Sequence, residues 1–168
     1  MKIFLPVLVA LILIAGCAKK DATCGYQDSS IIAPTGEVKQ LKDSLDSAGI
    51  TGTMLHSSGF YYKINSAGSG PGVTNLCTTV SVNYKGELFN GRVFDSTKSG
   101  QVANFQLGEV IVAWQKALPL VSKNGDIDLY IPPSLGYGPN PVRDPATGNT
   151  VLPPNSYLIF HVHVLDIQ

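Results

Sequence analysis

The chain has 168 residues, of which 44% are hydrophobic and 14% are charged, which is enough for one core-forming domain and little more. Twelve basic residues balance twelve acidic ones and no basic stripe appears, which argues against nucleic acid as a partner. Seventeen glycines and eleven prolines favour many tight turns, so we expect a β-rich fold.

The first segment of the chain has the layout of a bacterial secretory signal. A positive charge at Lys2 precedes an apolar run over 3–15, which is shorter than the roughly 20 residues that a membrane span needs. Two small residues stand directly before Cys17, as in a lipobox. We therefore predict a lipoprotein signal peptide over 1–16, with Cys17 lipidated after cleavage. A plain secretory signal with a chance cysteine is the alternative.

The remaining two cysteines form an even pair in an oxidising compartment. We predict a disulfide between Cys24 and Cys77 that ties the start of the mature chain to the domain. Two free thiols are the alternative. A zinc site is poorly supported, since two cysteines without CxxC spacing are too few ligands.

Residues 17–50 are predicted to be a lipid-anchored tether that ends in a helix over 37–48. Three apolar residues recur there at helical spacing: Val38, Leu41 and Leu45. Thr35 is the expected cap and Gly49 the expected stop. Because the apolar stripe is narrow, we expect the helix to pack on one side only. Dimerisation through it is the alternative.

From residue 51 onward, strand patterns alternate with turns. The predicted strands are 51–54, 59–65, 78–88, 92–97, 127–131 and 158–167. The alternation in 78–88 places Val80, Val82 and Tyr84 on one face. Asn90-Gly91 predicts a hairpin turn. Several antiparallel strands with few helices indicate the α+β class.

The centre of this region is the apolar stretch 107–118, which holds the single tryptophan, Trp114. A short element that is apolar on all sides has no face to give to water. We therefore predict a short central helix, with the sheet wrapped around it and Trp114 pointing into the space between. A buried strand is the alternative, because periodicity cannot separate the two in so short a run.

Two further features lie near the C-terminus. A long loop rich in proline, glycine and asparagine is predicted over 137–155, and loops of that length are usually functional or mobile. His161 and His163 lie on one face of the last strand. Without an evident third ligand, we expect packed or solvent-facing histidines rather than a metal site.

Six short segments carry a resemblance to a known family. They read V-N-Y-K-G at 82–86, F-D-S-T at 94–97, F-Q-L-G at 105–108, E-V-I-x-x-W at 109–114, Y-I-P-P-S-L-G-Y-G at 130–138 and L-P-P-N-S-Y-L-I-F-H-V at 152–162. In this order they resemble the FKBP-type peptidyl-prolyl isomerases. The whole chain is similar to lipid-anchored members from Bacteroidetes-like bacteria. The resemblance implies an isomerase domain over 51–168, with an antiparallel sheet curled around a short helix and an extra N-terminal helix before it.

The resemblance also implies an apolar pocket that binds X-Pro segments. Its catalytic residues would be Asp95, Tyr137, Tyr84, Phe94, Trp114 and Phe160. Its substrate-binding residues would be Phe105, Val110, Ile111, Leu152 and Val151. Trp114 would form the floor, the Ile111 N–H and the Tyr137 hydroxyl would donate hydrogen bonds, and Asp95 would orient the amide electrostatically. A purely structural core role is the alternative, above all for Phe105 and Phe160.

The expected function is therefore a prolyl isomerase that assists the folding of exported proteins. We expect it in the envelope of a Gram-negative bacterium, anchored by lipid in the outer membrane and facing the periplasm. Expected partners are proline-containing polypeptides, with macrolide inhibitors as further pocket ligands. The resemblance implies no metal or organic cofactor. The alternative is a non-catalytic peptide-binding or chaperone module that uses the same pocket and the loop 137–155, which is longer than in small family members.

Overall fold

The computed structural model describes residues 24–168, so the predicted signal peptide over 1–16 and the lipidation of Cys17 lie outside it. The described chain forms α1 (Thr35–Ser47), β1 (Met54–Leu55), β2 (Tyr61–Ser66), β3 (Thr79–Leu88), β4 (Val93–Ser96), β5 (Ala103–Gln106), α2 (Val112–Ala117), β6 (Asp126–Ile131), β7 (Val142–Arg143), β8 (Thr150–Leu152) and β9 (Leu158–Ile167). Single-turn 3-10 helices cover Leu107–Glu109, Leu118–Leu120 and Pro133–Leu135. Within 24–168, none of the helices is both long and apolar enough to span a bilayer.

Seven strands form one antiparallel sheet in the order β1-β2-β6-β9-β3-β4, with β5 also paired to β3. The long strand β3 pairs with β9 along one edge. On its other edge, the first half of β3 pairs with β5 and the second half pairs with β4. Residues of three strands therefore meet beside the middle of β3, where Tyr84 stands. The predicted α+β fold is confirmed.

The helix α2 packs on one face of this sheet. Its residues Ala113, Trp114 and Ala117 are buried in the main core, together with Val80 and Val82 of β3. The predicted central helix is confirmed, although only six residues are α-helical. It gives way to a 3-10 turn that contains a proline at its second position, where a missing N–H removes no helical hydrogen bond.

The helix α1 packs on the opposite face of the sheet. Leu41 and Leu45 are fully buried and cluster with Tyr130 of β6 and Ile159 of β9. The apolar stripe is therefore covered by the domain itself, as the narrow pattern predicted. In addition, the Tyr157 hydroxyl donates a hydrogen bond to Gln40 Oε1 at 3.0 Å.

The ends of α1 confirm one sequence prediction and correct another. Gly49 has a φ of +68°, and the N–H groups of Gly49 and Ile50 donate to Asp46 and Leu45, which closes the helix as a Schellman motif. The predicted Thr35 cap is wrong, because the helix already begins at Thr35 and no side chain caps it. The preceding residue is a proline with a φ of −55°, which starts the helix through its restricted backbone.

The segment over 137–155, predicted as an irregular loop, contains the small hairpin β7–β8. Asp144 Oδ1 accepts hydrogen bonds from the N–H groups of Ala146 and Thr147 at 2.8 and 2.9 Å. The Asp144 N–H donates to the carbonyl of Asn149, which closes the turn between the two strands. The turn residues of this hairpin are recognisable in the sequence, but its strands of two and three residues are too short to show a period.

Candidate active site

A cavity of about 220 Å³ opens beside α2. Nine residues line it: Tyr84, Asp95, Phe105, Glu109, Val110, Ile111, Trp114, Tyr137 and Phe160. The fold thus brings together residues from β3, β4, β5, β9, α2, the segment leading into α2 and the segment after the turn Pro133–Leu135. They are dispersed over more than half of the domain sequence. All of them except Glu109 were assigned to the pocket from the sequence.

Trp114 lies at the centre of an aromatic cluster and keeps only 4% of its surface exposed. The rings of Tyr84, Phe105 and Phe160 stand edge-on to the indole, with centroids 5.4, 5.9 and 5.2 Å away. This edge-to-face geometry matches the charge distribution of aromatic rings. The indole N–H has no hydrogen-bond partner within the described chain, so ring packing determines the position of Trp114.

A hydrogen bond joins two polar groups of the pocket wall. The Tyr84 hydroxyl donates to Asp95 Oδ2 at 2.6 Å. Burial, followed by the hydrogen bond to Asp95, raises the pKa of Tyr84 well above its ordinary value of 10.0. The hydroxyl therefore stays protonated at neutral pH and holds the Asp95 carboxylate in one orientation.

Tyr137 is the most exposed aromatic residue of the pocket, with 42% of its surface accessible. It follows the 3-10 turn Pro133–Leu135, and that turn is tied to α1 because the Ser134 N–H donates to Glu37 Oε2 at 3.0 Å. Partial burial, and then the charge of Asp95, raise the pKa of Tyr137 above its ordinary value of 10.0. Its hydroxyl therefore stays protonated at neutral pH and can donate a hydrogen bond.

The backbone at the start of α2 offers a second donor. Ile111 is the N-cap residue, and its carbonyl accepts hydrogen bonds from the N–H groups of Trp114 and Gln115 at 2.9 and 3.2 Å. The Ile111 N–H itself precedes the helix and is not used by the helical ladder. The half-buried side chains of Val110 and Ile111 flank this group on the cavity wall.

Three residues that the sequence assigned to the site do not line the cavity. Phe94 stands behind it, edge-on to Phe160 at 5.4 Å and to Tyr137 at 6.5 Å, and thereby supports both walls. Leu152 is fully buried in the main core, because its strand β8 turns that side chain inward. Val151, its half-buried neighbour on β8, is also absent from the lining.

A glycine that the sequence interpretation did not use shapes this wall. A Cβ on Gly86 would lie 2.7 Å from Phe94 Cζ and 2.8 Å from Phe160 Cε1. The two rings can therefore meet across β3 only because that position has no side chain. Its place at the end of the V-N-Y-K-G segment was the available signal.

The N-terminal segment of the described chain is fixed to the domain near the pocket. Cys24 is disulfide-bonded to Cys77 across 53 positions of sequence, with a Cα–Cα distance of 5.6 Å. The ring of Tyr26 covers Gly108, where any Cβ would overlap it. Nothing in the local sequence around Tyr26 indicated this contact, since its partners lie about eighty positions away.

The two histidines of β9 lie outside the cavity, on the outer face of the sheet. His161 Nδ1 lies 2.7 Å from Asp128 Oδ1, and its Nε2 lies 3.2 Å from Glu87 Oε1. His163 Nδ1 lies 2.8 Å from Asp126 Oδ1. Across the described residues, no group of three potential metal-ligating side chains has the arrangement of a metal site.

Comparison with known proteins gives consistent results. The sequence model of the family described as "FKBP-type peptidyl-prolyl cis-trans isomerase" matches residues 73–165. A "Probable FKBP-type peptidyl-prolyl cis-trans isomerase" of Haemophilus influenzae is 48% identical over 112 residues, which are 66% of this chain and 44% of that protein. The "Outer membrane protein MIP" of Legionella longbeachae is 39% identical over 120 residues, or 70% of this chain and 48% of that protein.

A solved structure is similar as well. The crystal structure of FkpA from Escherichia coli superposes with a TM-score of 0.62 at 33% identity, covering 79% of this chain and 63% of that chain. This chain spans less than half the length of the two relatives described above. The similarity therefore applies to the domain around the pocket.

Proposed function

Since the chain belongs to the FKBP-type peptidyl-prolyl cis-trans isomerases, we propose that it catalyses cis–trans isomerisation of X-Pro bonds in exported polypeptides. The observation that carries this proposal is the pocket itself, in which Trp114 forms an apolar floor beside the hydrogen-bonded Tyr84–Asp95 pair. The relative from Haemophilus influenzae, named as a probable isomerase of this type, supports it.

The chemistry that such a pocket must accelerate is rotation about a C–N bond. The barrier of about 18–20 kcal/mol arises because the twisted amide loses its resonance. No nucleophile is needed, since no bond is made or broken. An apolar cavity removes water from the planar, polar amide, and a shape that fits the twisted amide better binds the transition state selectively.

Each part of the site has a role in this proposal. The proline ring rests on Trp114, between Phe105 and Phe160. The Ile111 N–H and the Tyr137 hydroxyl donate hydrogen bonds to carbonyls of the peptide. These contacts fix the chain on both sides of the bond that rotates.

Asp95 acts by its charge and position rather than as a base. Its carboxylate is held by the Tyr84 hydroxyl at 2.6 Å and lines the cavity. A fixed charge can stabilise the altered dipole of the twisted amide without reorganising during the reaction. The same carboxylate would lose its orientation without Tyr84.

The experiment is an isomerase assay on the chain from residue 18 onward, with Ala-Leu-Pro-Phe and Ala-Glu-Pro-Phe peptides. Tyr137→Phe is expected to lower kcat/KM by about twofold to tenfold, because one hydrogen bond contributes about 0.5–1.5 kcal/mol. Asp95→Ala should lower it further, since it also leaves the Tyr84 hydroxyl without its acceptor.

Matched controls are available on the opposite face of the sheet. Tyr157→Phe removes a hydroxyl that contacts Gln40, and Asp43→Ala removes an exposed carboxylate of α1. Both variants should retain wild-type kcat/KM. A well-folded wild-type chain that gives no rate above background would refute the proposal.

We further propose that the protein is a lipid-anchored member of the family in a Gram-negative envelope, similar to those of Bacteroidetes-like bacteria. In this proposal, 1–16 is cleaved, Cys17 carries the lipid, 17–50 is the tether with its helix and 51–168 is the isomerase domain. The relative named as an outer membrane protein supports an envelope location. Incorporation of labelled palmitate should occur in the wild-type chain and be lost in Cys17→Ser. Equal labelling of both would contradict the anchor.

The hairpin β7–β8 favours a second candidate, a peptide-binding or chaperone module. Its two strands are paired, it begins five positions after Tyr137, and its turn residues over 145–150 are exposed. In this case, deletion of 140–150 abolishes suppression of client aggregation, and isomerase activity is absent throughout. A macrolide inhibitor that fills the shared pocket should compete with peptides under either function.

A further inference from the structure

The N-terminal segment 24–28 is fixed along one rim of the pocket. The disulfide from Cys24 holds its beginning, and an ion pair holds its end, with Asp28 Oδ1 lying 3.6 Å from Lys116 Nζ of α2. Tyr26 lies between these two attachments. Its side chain therefore lies at one place on the domain, between two attachment points.

Tyr26 contacts the turn that leads into the pocket wall. Its ring covers Gly108, and its hydroxyl lies 2.8 Å from Glu109 Oε1 and 3.1 Å from Gln106 Oε1. Because a carboxylate can only accept, the hydroxyl donates to Glu109. This bond holds the Glu109 carboxylate directly before Val110 and Ile111, which form the wall.

The charged residues that line the pocket are all of one sign. Of the nine residues that line it, two are charged, and both are acids: Asp95 and Glu109. Asp95 already accepts the Tyr84 hydroxyl. Glu109 is exposed and lines the cavity, so its carboxylate is accessible from solvent. Among residues 24–168, no lysine or arginine lines the cavity to offset these charges.

We propose that Glu109 is a specificity-determining residue that favours X-Pro segments with a basic residue next to the proline over those with an acidic one, and that Tyr26 is its positioning residue. This inference rests on the proposed function of the same pocket. The N-terminal segment thus forms part of the substrate site, although it lies outside the matched region 73–165.

The test measures kcat/KM of the oxidised protein with Ala-Lys-Pro-Phe and Ala-Glu-Pro-Phe. The expected ratio is about threefold to tenfold in favour of lysine, since one charge is attracted and the other repelled at a solvated rim. It should shrink towards one in 1 M salt, where the screening length is about 3 Å. Glu109→Gln should lower the ratio by about threefold, and Tyr26→Phe should lower it by less in the same direction.

The control is Tyr157→Phe, which removes a hydroxyl that also binds a side chain but lies on the α1 face. It should keep the wild-type ratio. If the role of Tyr26 were merely structural, Tyr26→Phe would change kcat/KM for both peptides by the same factor and leave their ratio unchanged. An active enzyme whose ratio is unchanged in Glu109→Gln would overturn the inference.

Failure of the proposed function gives a different result, namely no turnover of any peptide. The inference is then judged by binding, with the fluorescence of Trp114 as the reporter. The lysine peptide should bind about threefold more tightly than the glutamate peptide, and Glu109→Gln should remove the difference. Equal binding of both peptides to the unmodified protein would overturn it.

Discussion

Individual side chains of the pocket owe their positions to neighbours from distant parts of the sequence. Trp114 is held by three perpendicular rings, and Asp95 is held by the hydroxyl of Tyr84. In both arrangements, the contacting groups are held in place by the packing around them. A fixed site is suited to discriminating between two shapes of the same amide, since a flexible wall would adapt equally well to both.

His161 makes stability dependent on pH. Its hydrogen bond to Asp128 raises the pKa above the ordinary value of 6.5, and burial offsets only part of that rise. Protonation is thus favoured in the folded state, so the contribution is complete below pH 6.5 and is lost as the pH rises through the raised value. We expect the free energy of unfolding to fall as the pH rises above about 6.5 in urea titrations.

A pair of matched variants separates the contribution of His161 from that of His56. His161→Gln should abolish the decline. His56→Gln should leave it in place, since burial, and then Lys116, lower the pKa of His56 below 6.5 and its own contribution changes at lower pH. A wild-type free energy of unfolding that does not decline above about pH 6.5 would contradict the assignment.

Recognisable segments identify cavity-lining residues only in part, since Phe94 and Leu152 stand in such segments and do not line the cavity. Asp95 and Tyr137 stand in such segments and reach the cavity. Glu109 stands in one as well, but its role depends on Tyr26, which lies 83 positions away. A contact between residues so far apart in sequence depends on where the N-terminal segment packs on the domain, and the periodicity of the sequence does not predict that position.

At the scale of elements, the strand β3 depends on Gly86 for its place beneath two aromatic rings. Gly86→Ala would drive a methyl group into Phe94 and Phe160. We expect a loss of about 1–3 kcal/mol in the free energy of unfolding, as for other overpacked sites, together with lower isomerase activity. Chemical denaturation and the peptide assay measure the two effects.

The control for this substitution is Gly36→Ala in α1, where a Cβ would meet no atom within 4 Å. It should be neutral or stabilise by up to about 1 kcal/mol, because alanine restricts the unfolded chain. Equal effects of the two variants would contradict the inference that ring packing excludes a side chain at position 86.

Elements with a clear period were predicted well, and short ones were not. The strands β3 and β9 agree with the sequence to within a residue, because ten alternating residues allow only one register. The strand predicted over 51–54 is instead Met54–Leu55. The hairpin β7–β8 was missed, since its strands are too short to show a period and its turn is closed by local hydrogen bonds to Asp144.

At the scale of the whole molecule, the disulfide joins the beginning of the described chain to the entry of β3. Reduction, or the double variant Cys24→Ser/Cys77→Ser, should lower the free energy of unfolding by about 2–4 kcal/mol, because the unfolded chain gains the freedom of a 53-residue loop. Denaturation with and without a reductant measures this difference. An unchanged midpoint in both would contradict a stabilising role.

The same bond also determines how the molecule would carry mechanical load. A pull applied upstream of Cys24 passes through the sulfur atoms to Cys77 and into the sheet, so residues 25–76 experience no tension. The helix α1 and the strands β1 and β2 lie within this shielded segment. About 190 Å of extended chain would stay hidden until the bond is reduced. A force applied to the N-terminal end of such a protein would therefore not unfold the segment 25–76.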